Sequence, residues 1–158
     1  MLKKNCLVKI SGDMISEKVL LWIKKLSKNY SVVICVGGSS QINKAFKKVG
    51  FPVSKFGPFG REAKSLKEKK LAKDILEKNK IEVQNRLNLI GGRVKVVIPV
   101  FEIGNVLCHV NGDYFVLFAY LGFDILYVVT TPQRVAEKEE FFKPYDTLHK
   151  IYVIGFKI

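Results

Sequence analysis

Apolar positions along this chain follow two periods. Cys6–Ile10, Ser31–Val36, Val94–Pro99, Ile125–Thr130 and Lys150–Phe156 are short, nearly continuous apolar runs. Such runs predict strands covered on both faces. Between the first two, Val19, Leu20, Ile23 and Leu26 recur at three- and four-residue spacing with lysines between them. That predicts a helix capped by Ser16 and closed at Asn29, with Trp22 at the edge of its stripe. Ile42, Ala45, Phe46 and Val49 make one face of a short helix ending at Gly50. Arg61–Leu89 reads as a long helix, or two shorter ones, with Arg61 opening it and Ala72, Ile75, Leu76, Val83 and Leu87 as its stripe; Gly91-Gly92 ends it. Tyr114–Leu121 is apolar nearly all round and predicts a buried helix ended by Gly122. Phe101–Asn105 reads as a turn and Val106–Val110 as a short strand, while Arg134–Thr147 is charged and weakly periodic.

Strands alternating with helices define an α/β fold: a three-layer sandwich with a mostly parallel central sheet and right-handed crossovers. Residues 1–158 read as a single domain, with no internal repeat or linker. The loop Phe51–Gly60 holds two prolines and two glycines together with Phe51, Phe56 and Phe59. Packing over the sheet edge is its expected role, ahead of a flap beside a ligand.

Two glycine turns stand where open α/β sheets bind ligands, at the carboxyl ends of strands. They are Lys9-Ile10-Ser11-Gly12-Asp13 and Val36-Gly37-Gly38-Ser39-Ser40-Gln41-Ile42-Asn43. Each is either a cradle for phosphate or carboxylate, using backbone N–H groups and the following helix terminus, or an ordinary strand-to-helix turn. Lys9 could place a positive charge on a transferring phosphoryl group. Asp113 is either the N-cap of the next helix or a carboxylate that holds a lysine or a metal. Arg61 could fork onto an anion or simply be solvated. His109 and His149 lack a metal-ligand spacing, and no G-x-x-x-x-G-K-[ST] loop occurs.

Charge sharpens this picture only a little. Lys and Arg number 27 against 14 Asp and Glu, a net charge of +13, which attracts anions in general. Much of the excess lies on helix faces, and no aromatic-interleaved basic motif points to nucleic acid. Nucleic-acid binding is thus the least favoured class. No apolar stretch approaches the roughly 20 residues that span a bilayer. Cys6, Cys35 and Cys108 are too scattered for a disulfide frame or metal clip, which suits reduced thiols and a cytoplasmic setting.

Taken in order, four segments resemble the amino acid kinase family, which includes acetylglutamate, carbamate and uridylate kinases. Val8-Lys9-Ile10-Ser11-Gly12-Asp13 resembles its opening K-x-G-G or K-x-S-G turn. Val36-Gly37-Gly38-Ser39-Ser40-Gln41-Ile42 resembles the second glycine turn, Val110-Asn111-Gly112-Asp113 the N-x-D segment, and Phe123–Thr131 the strand A-D-x-L-I-x-L-T-D. The resemblance covers about Leu7 to Val135. It implies an amino acid kinase-like fold and transfer of the ATP γ-phosphoryl group, with Mg2+, to a carboxylate, carbamate or phosphate. By position, Lys9 would steady the phosphoryl group and Asp113 would orient Lys9. Gly12, Gly37 and Gly38 would offer backbone N–H groups, with Ser39 and Asn111 beside them, and Arg61 would contact the acceptor. A homodimer, or a partner subunit that completes the nucleotide site, is also implied.

Three departures bear on that expectation. Ser39 replaces a glycine, and Thr131-Pro132 stands where many members carry T-D. Residues 131–158 are too few for the lobe that grips the nucleotide and supplies a second lysine, and Gly155 is the only glycine after Val135. A non-catalytic relative that binds an anionic small molecule is the alternative.

Overall fold

The computed structural model describes residues 2–53 and 55–158. The apolar runs become β1 (Lys4–Ile10), β2 (Tyr30–Val36), β3 (Val94–Val97), β6 (Ile125–Thr130) and β7 (Ile151–Gly155), while β4 (Val100–Ile103) and β5 (Val106–His109) form a hairpin. The five-stranded sheet has the order β3-β2-β1-β6-β7, and every pairing in it is parallel. From β1 the chain steps outward to β2 and β3, then returns to place β6 on the other side of β1. The strand order therefore reverses between β1 and β6, and a crevice opens at the carboxyl ends of the strands there.

Helices α1 (Glu17–Asn29) and α3 (Leu66–Leu89) cover one face, and α4 (Gly112–Ala119) and α5 (Val135–Phe142) the other. On the first face Val19, Leu20 and Ile23 of α1, with Val83 and Leu87 of α3, pack on Val8, Ile10, Val32 and Ile34. On the second, Val116 of α4 and Phe142 of α5 pack on Leu7, Leu126 and Val128. Helix α2 (Ser39–Lys48) buries Ile42 and Phe46 against Ala72 and Leu76 in the amino-terminal half of α3. This is the three-layer α/β sandwich that the alternating pattern predicts. No helix among the described residues is long and apolar enough to cross a membrane.

Local chemistry sets the element ends. Ser16 caps α1 by accepting from Val19 N. Ser65 caps α3 by accepting from Glu68 N at 3.1 Å, and Glu68 Oε2 accepts in return from Lys64 N at 2.9 Å. This reciprocal cap, a close variant of the capping box, starts the helix at Leu66. Arg61 is therefore not the first residue of the long helix; it lies before it, in a β-bridge with Phe56.

Two further expectations are corrected. Phe101–Ile103 is part of strand β4 rather than a turn, because Gly104, at φ 58°, reverses the chain within two residues. Helix α4 is apolar all round but not buried all round. Val116 is inaccessible, whereas Phe118, and Leu121 in the turn just beyond the helix, are 61% and 86% exposed. Phe118 instead joins a partly exposed aromatic cluster, where Phe101 stacks on Phe115 at 5.8 Å.

The loop before α3 is tied to the segment after β5. Asn111 N donates to Phe59 O at 2.7 Å. Gly60 has φ 153°, and a Cβ there would stand 2.7 Å from His109 O. Gly60→Ala is therefore expected to destabilise the protein by about 1–3 kcal/mol, read as a lower urea midpoint.

Candidate functional site

At the crevice, the ends of β1 and β2, the start of α2 and the β5–α4 segment enclose a cavity of about 320 Å³. Lys9, the penultimate residue of β1, reaches across it, and its Nζ lies 3.3 Å from Asp113 Oδ1. Gly112 leaves the path open, since a Cβ there would come within 2.6 Å of Lys9 Cε. Asp113 sits in the first turn of α4 but does not cap it. Asn111 does, with its side chain accepting from Asp113 N at 2.8 Å. The Asp113 carboxylate is thereby left for the cavity, where its second oxygen accepts from Lys138 of α5.

One carboxylate thus holds two ammonium groups, and all three side chains are at least 87% buried. Burial alone would raise the Asp113 pKa. The charges and hydrogen bonds of Lys9 and Lys138 outweigh it and hold the carboxyl below its usual value. Beside Lys9, paired with it across β1 and β2, is Cys35, whose thiol pKa burial pushes up to about 12 despite the lysine charge. It is a packing thiol, not a nucleophile.

Arg61 lines the same cavity. Its guanidinium donates to Ser39 O at 3.3 Å and Ser39 Oγ at 3.4 Å, and lies over the rings of Phe56 (4.7 Å) and Phe46 (5.4 Å). Burial lowers its pKa, yet a guanidinium keeps its charge in proteins. Phe56 is in the cavity wall, so the Phe51–Gly60 loop borders the site as well as covering the sheet edge.

The glycine turns are used unevenly. Gly37 and Gly38 line the cavity, and Gly38 caps α2. However, Gly37 N donates to Ile10 O at 2.8 Å, and Gly37 O accepts from Asn79 Nδ2 at 2.9 Å. Gly37 therefore shapes the turn, with its own N–H already engaged. Gly12 lies outside the wall, because Gln41 packs where a Gly12 Cβ would be. Ser39 and Asn111 line the cavity with Lys9, Asp113 and Arg61.

Two residues that sequence reasoning passed over complete the wall: Arg134 and Lys138. They come from the charged stretch after β6, whose weak periodicity predicts no element. Their signal is positional: two bases four apart, directly beyond the carboxyl end of a central strand, where they share a helix face. Arg134 is oriented by a two-bond pair with Glu137, at 3.2 and 2.9 Å. Helix α5 is fixed in turn by Asp146, which accepts from Tyr120 Oη, Lys150 N and Ile151 N.

His109 Nε2 lies 3.0 Å from Lys69 O. Burial lowers its pKa; the Lys69 carbonyl opposes this, and the charges of Arg61 and Lys69 add to it. The unfolded chain takes up the proton first. The stability this gives is complete above about pH 6.5 and is lost as the pH falls through the lower folded value. Urea midpoints measured from pH 7.5 to 5 are expected to fall for the natural chain and to fall less for His109→Gln. His149 is exposed, outside the cavity, at φ 52°.

The fold and site define an α/β protein with a cationic crevice at a topological switch point. No protein-family model matches the chain, and no curated protein matches it. Among solved structures it is similar to the one described as the crystal structure of smu.665 from Streptococcus mutans UA159. The identity is 16%, over 86% of this chain and 82% of that one, with a TM-score of 0.60. At that identity the likeness shows the fold alone.

Proposed function

We propose that this chain is a small-molecule phosphotransferase of the amino acid kinase type, which moves the γ-phosphoryl group of ATP to a carboxylate or phosphate oxygen. The observation that carries this reading is one buried carboxylate, Asp113, holding both Lys9 and Lys138 in the crevice. In phosphoryl transfer an acceptor oxygen forms its bond to phosphorus as the bridging oxygen leaves with ADP. The protein's work is positioning and neutralising the charge on the three equatorial oxygens. Two ammonium groups fixed by one carboxylate are preorganised for that task and need no reorganisation as charge builds.

The donor set suits a polyphosphate. Lys9, Arg61, Arg134 and Lys138 line the cavity, with Asp113 as its one carboxylate among the described residues. No cluster of three or more His, Cys, Asp or Glu occurs among those residues. Magnesium would arrive on the nucleotide's own phosphate oxygens, where it adds charge neutralisation. Lys138 of α5 would serve as the second lysine that the resemblance implies. Adenine and ribose contacts would come from a second copy or a partner subunit.

A second reading, a non-catalytic anion-binding protein, is favoured by the engaged N–H of Gly37 and the covered Gly12. These leave fewer backbone donors than the resemblance implies. Calorimetric titration with magnesium and a non-hydrolysable ATP analogue separates the two. The expected result is micromolar binding that weakens by about tenfold or more in Lys9→Ala, the scale of a lost charge-assisted contact. No binding up to millimolar nucleotide would leave the anion-binding protein.

A further inference from the structure

We infer that the acceptor taken by this cavity is a small amphiphilic anion, a carboxylate or phosphate on an apolar body, that carries no ammonium group. The inference rests on the phosphotransferase reading and names the substrate class of the same site. It follows from which charges the wall presents and which it withholds.

The wall withholds a partner for a cation. Its only carboxylate among the described residues is Asp113, and both of that group's oxygens are already engaged by lysines. Glu137 is exposed and turned to Arg134. An acceptor bearing an α-ammonium, as every free amino acid does, would set that charge among Lys9, Arg61, Arg134 and Lys138 with no counter-charge. Like charges juxtaposed in this way discriminate against a ligand.

What the wall presents is an anion site joined to an apolar surface. Arg61 is positioned by Ser39 and by the rings of Phe46 and Phe56, so less ordering remains to be done when an anion binds. Ile42, Phe56, Leu76, Pro99 and Val110 form the apolar side. Neither a bare inorganic anion nor a polyhydroxylated body would use that surface. The volume, about 320 Å³, lies at the small end for ligand pockets, which suits a body of a few carbons.

The test is calorimetry on the natural chain with two isosteric pairs: n-butyl phosphate against 3-aminopropyl phosphate, and pentanoate against 4-aminobutanoate. Within each pair a terminal methyl is exchanged for an ammonium. Inorganic phosphate is the control without a body, and the magnesium–nucleotide analogue is titrated in the same preparation. In at least one pair the alkyl member is expected to bind about tenfold tighter than its ammonium twin. Butyl phosphate is also expected to bind more tightly than inorganic phosphate if the phosphate pair is the responsive one. Arg61→Gln should weaken the preferred ligand by about tenfold.

Equal or tighter binding of the ammonium twins in both pairs, or no binding of any member, overturns the inference. Because the pairs are compared on the natural chain, that outcome does not depend on whether Arg61→Gln folds. Nucleotide binding without the pairwise preference overturns the acceptor class alone. The preference without nucleotide binding overturns phosphoryl transfer alone.

Discussion

Asp113→Ala is expected to cost about 3 kcal/mol of stability and to lower the proposed phosphoryl transfer on the order of a thousandfold. Both effects come from the same two contacts. Lys9 and Lys138 are 13% and 10% exposed at their side chains, so deleting the carboxylate leaves two ammonium groups crowded together with little water to screen them. Their mutual repulsion would then displace both from the positions in which the proposed reaction needs them. Asp113→Asn keeps the shape and removes the charge, and should reproduce most of the loss. Lys138→Met leaves the Lys9–Asp113 pair intact and should be much milder in stability, though not in transfer. Urea denaturation of the three variants, beside turnover, checks this ordering. The pH arm has a definite sign. The folded Asp113 pKa is depressed, so its stabilisation is present above about pH 4 and is lost as the pH falls through the lower folded value. The acid limb of the natural chain should therefore be steeper than that of Asp113→Asn.

Phe46→Ala is expected to cost about 3–5 kcal/mol, the largest single loss in stability at an uncharged position. Phe46 is fully buried between α2 and α3, packs edge-on against Phe51 with centroids 5.7 Å apart, and supports the Arg61 guanidinium. Its removal opens a void that α2 can close only by moving Ser39, the residue that holds Arg61 from the other side. Urea midpoints should drop accordingly. In the folded fraction, binding of anions that use Arg61 should weaken as well. Phe46→Leu, which fills much of the void, should recover at least half of the stability.

The parallel strands were legible because a strand buried on both faces must be apolar at every position, and little else in a short run looks like that. Lys9 stood out for the same reason, as a charge near the end of such a run. Asp113 and Asn111 show where the pattern stops. Both are cap-forming residue types two positions apart, and only the turn geometry decides that Asn111 takes the cap and Asp113 faces the lysines. Gly12 and Gly37 look alike in sequence, yet Gln41 covers one and Ile10 O engages the N–H of the other, contacts set by how the end of β1 packs against the turn after β2. Arg134 and Lys138 were missed because α5 carries charge on much of its surface and so shows no clear stripe, although it delivers Lys138 to a buried carboxylate. The β4–β5 hairpin was half missed, although Gly104-Asn105 is a two-residue loop of the kind hairpins use.

The central position of β1 sets a timetable for the growing chain. β1 is made first, yet its neighbour on one side, β6, is made only after every other strand of the sheet except β7. At roughly 5–20 residues per second of synthesis, the apolar β1 waits on the order of ten seconds with one edge unpaired. The site waits longer still, because Lys138 emerges after β6. The crevice is thus among the last features to form, and a chain halted before β6 holds only β1, β2 and β3 of the sheet, with an open edge and no site.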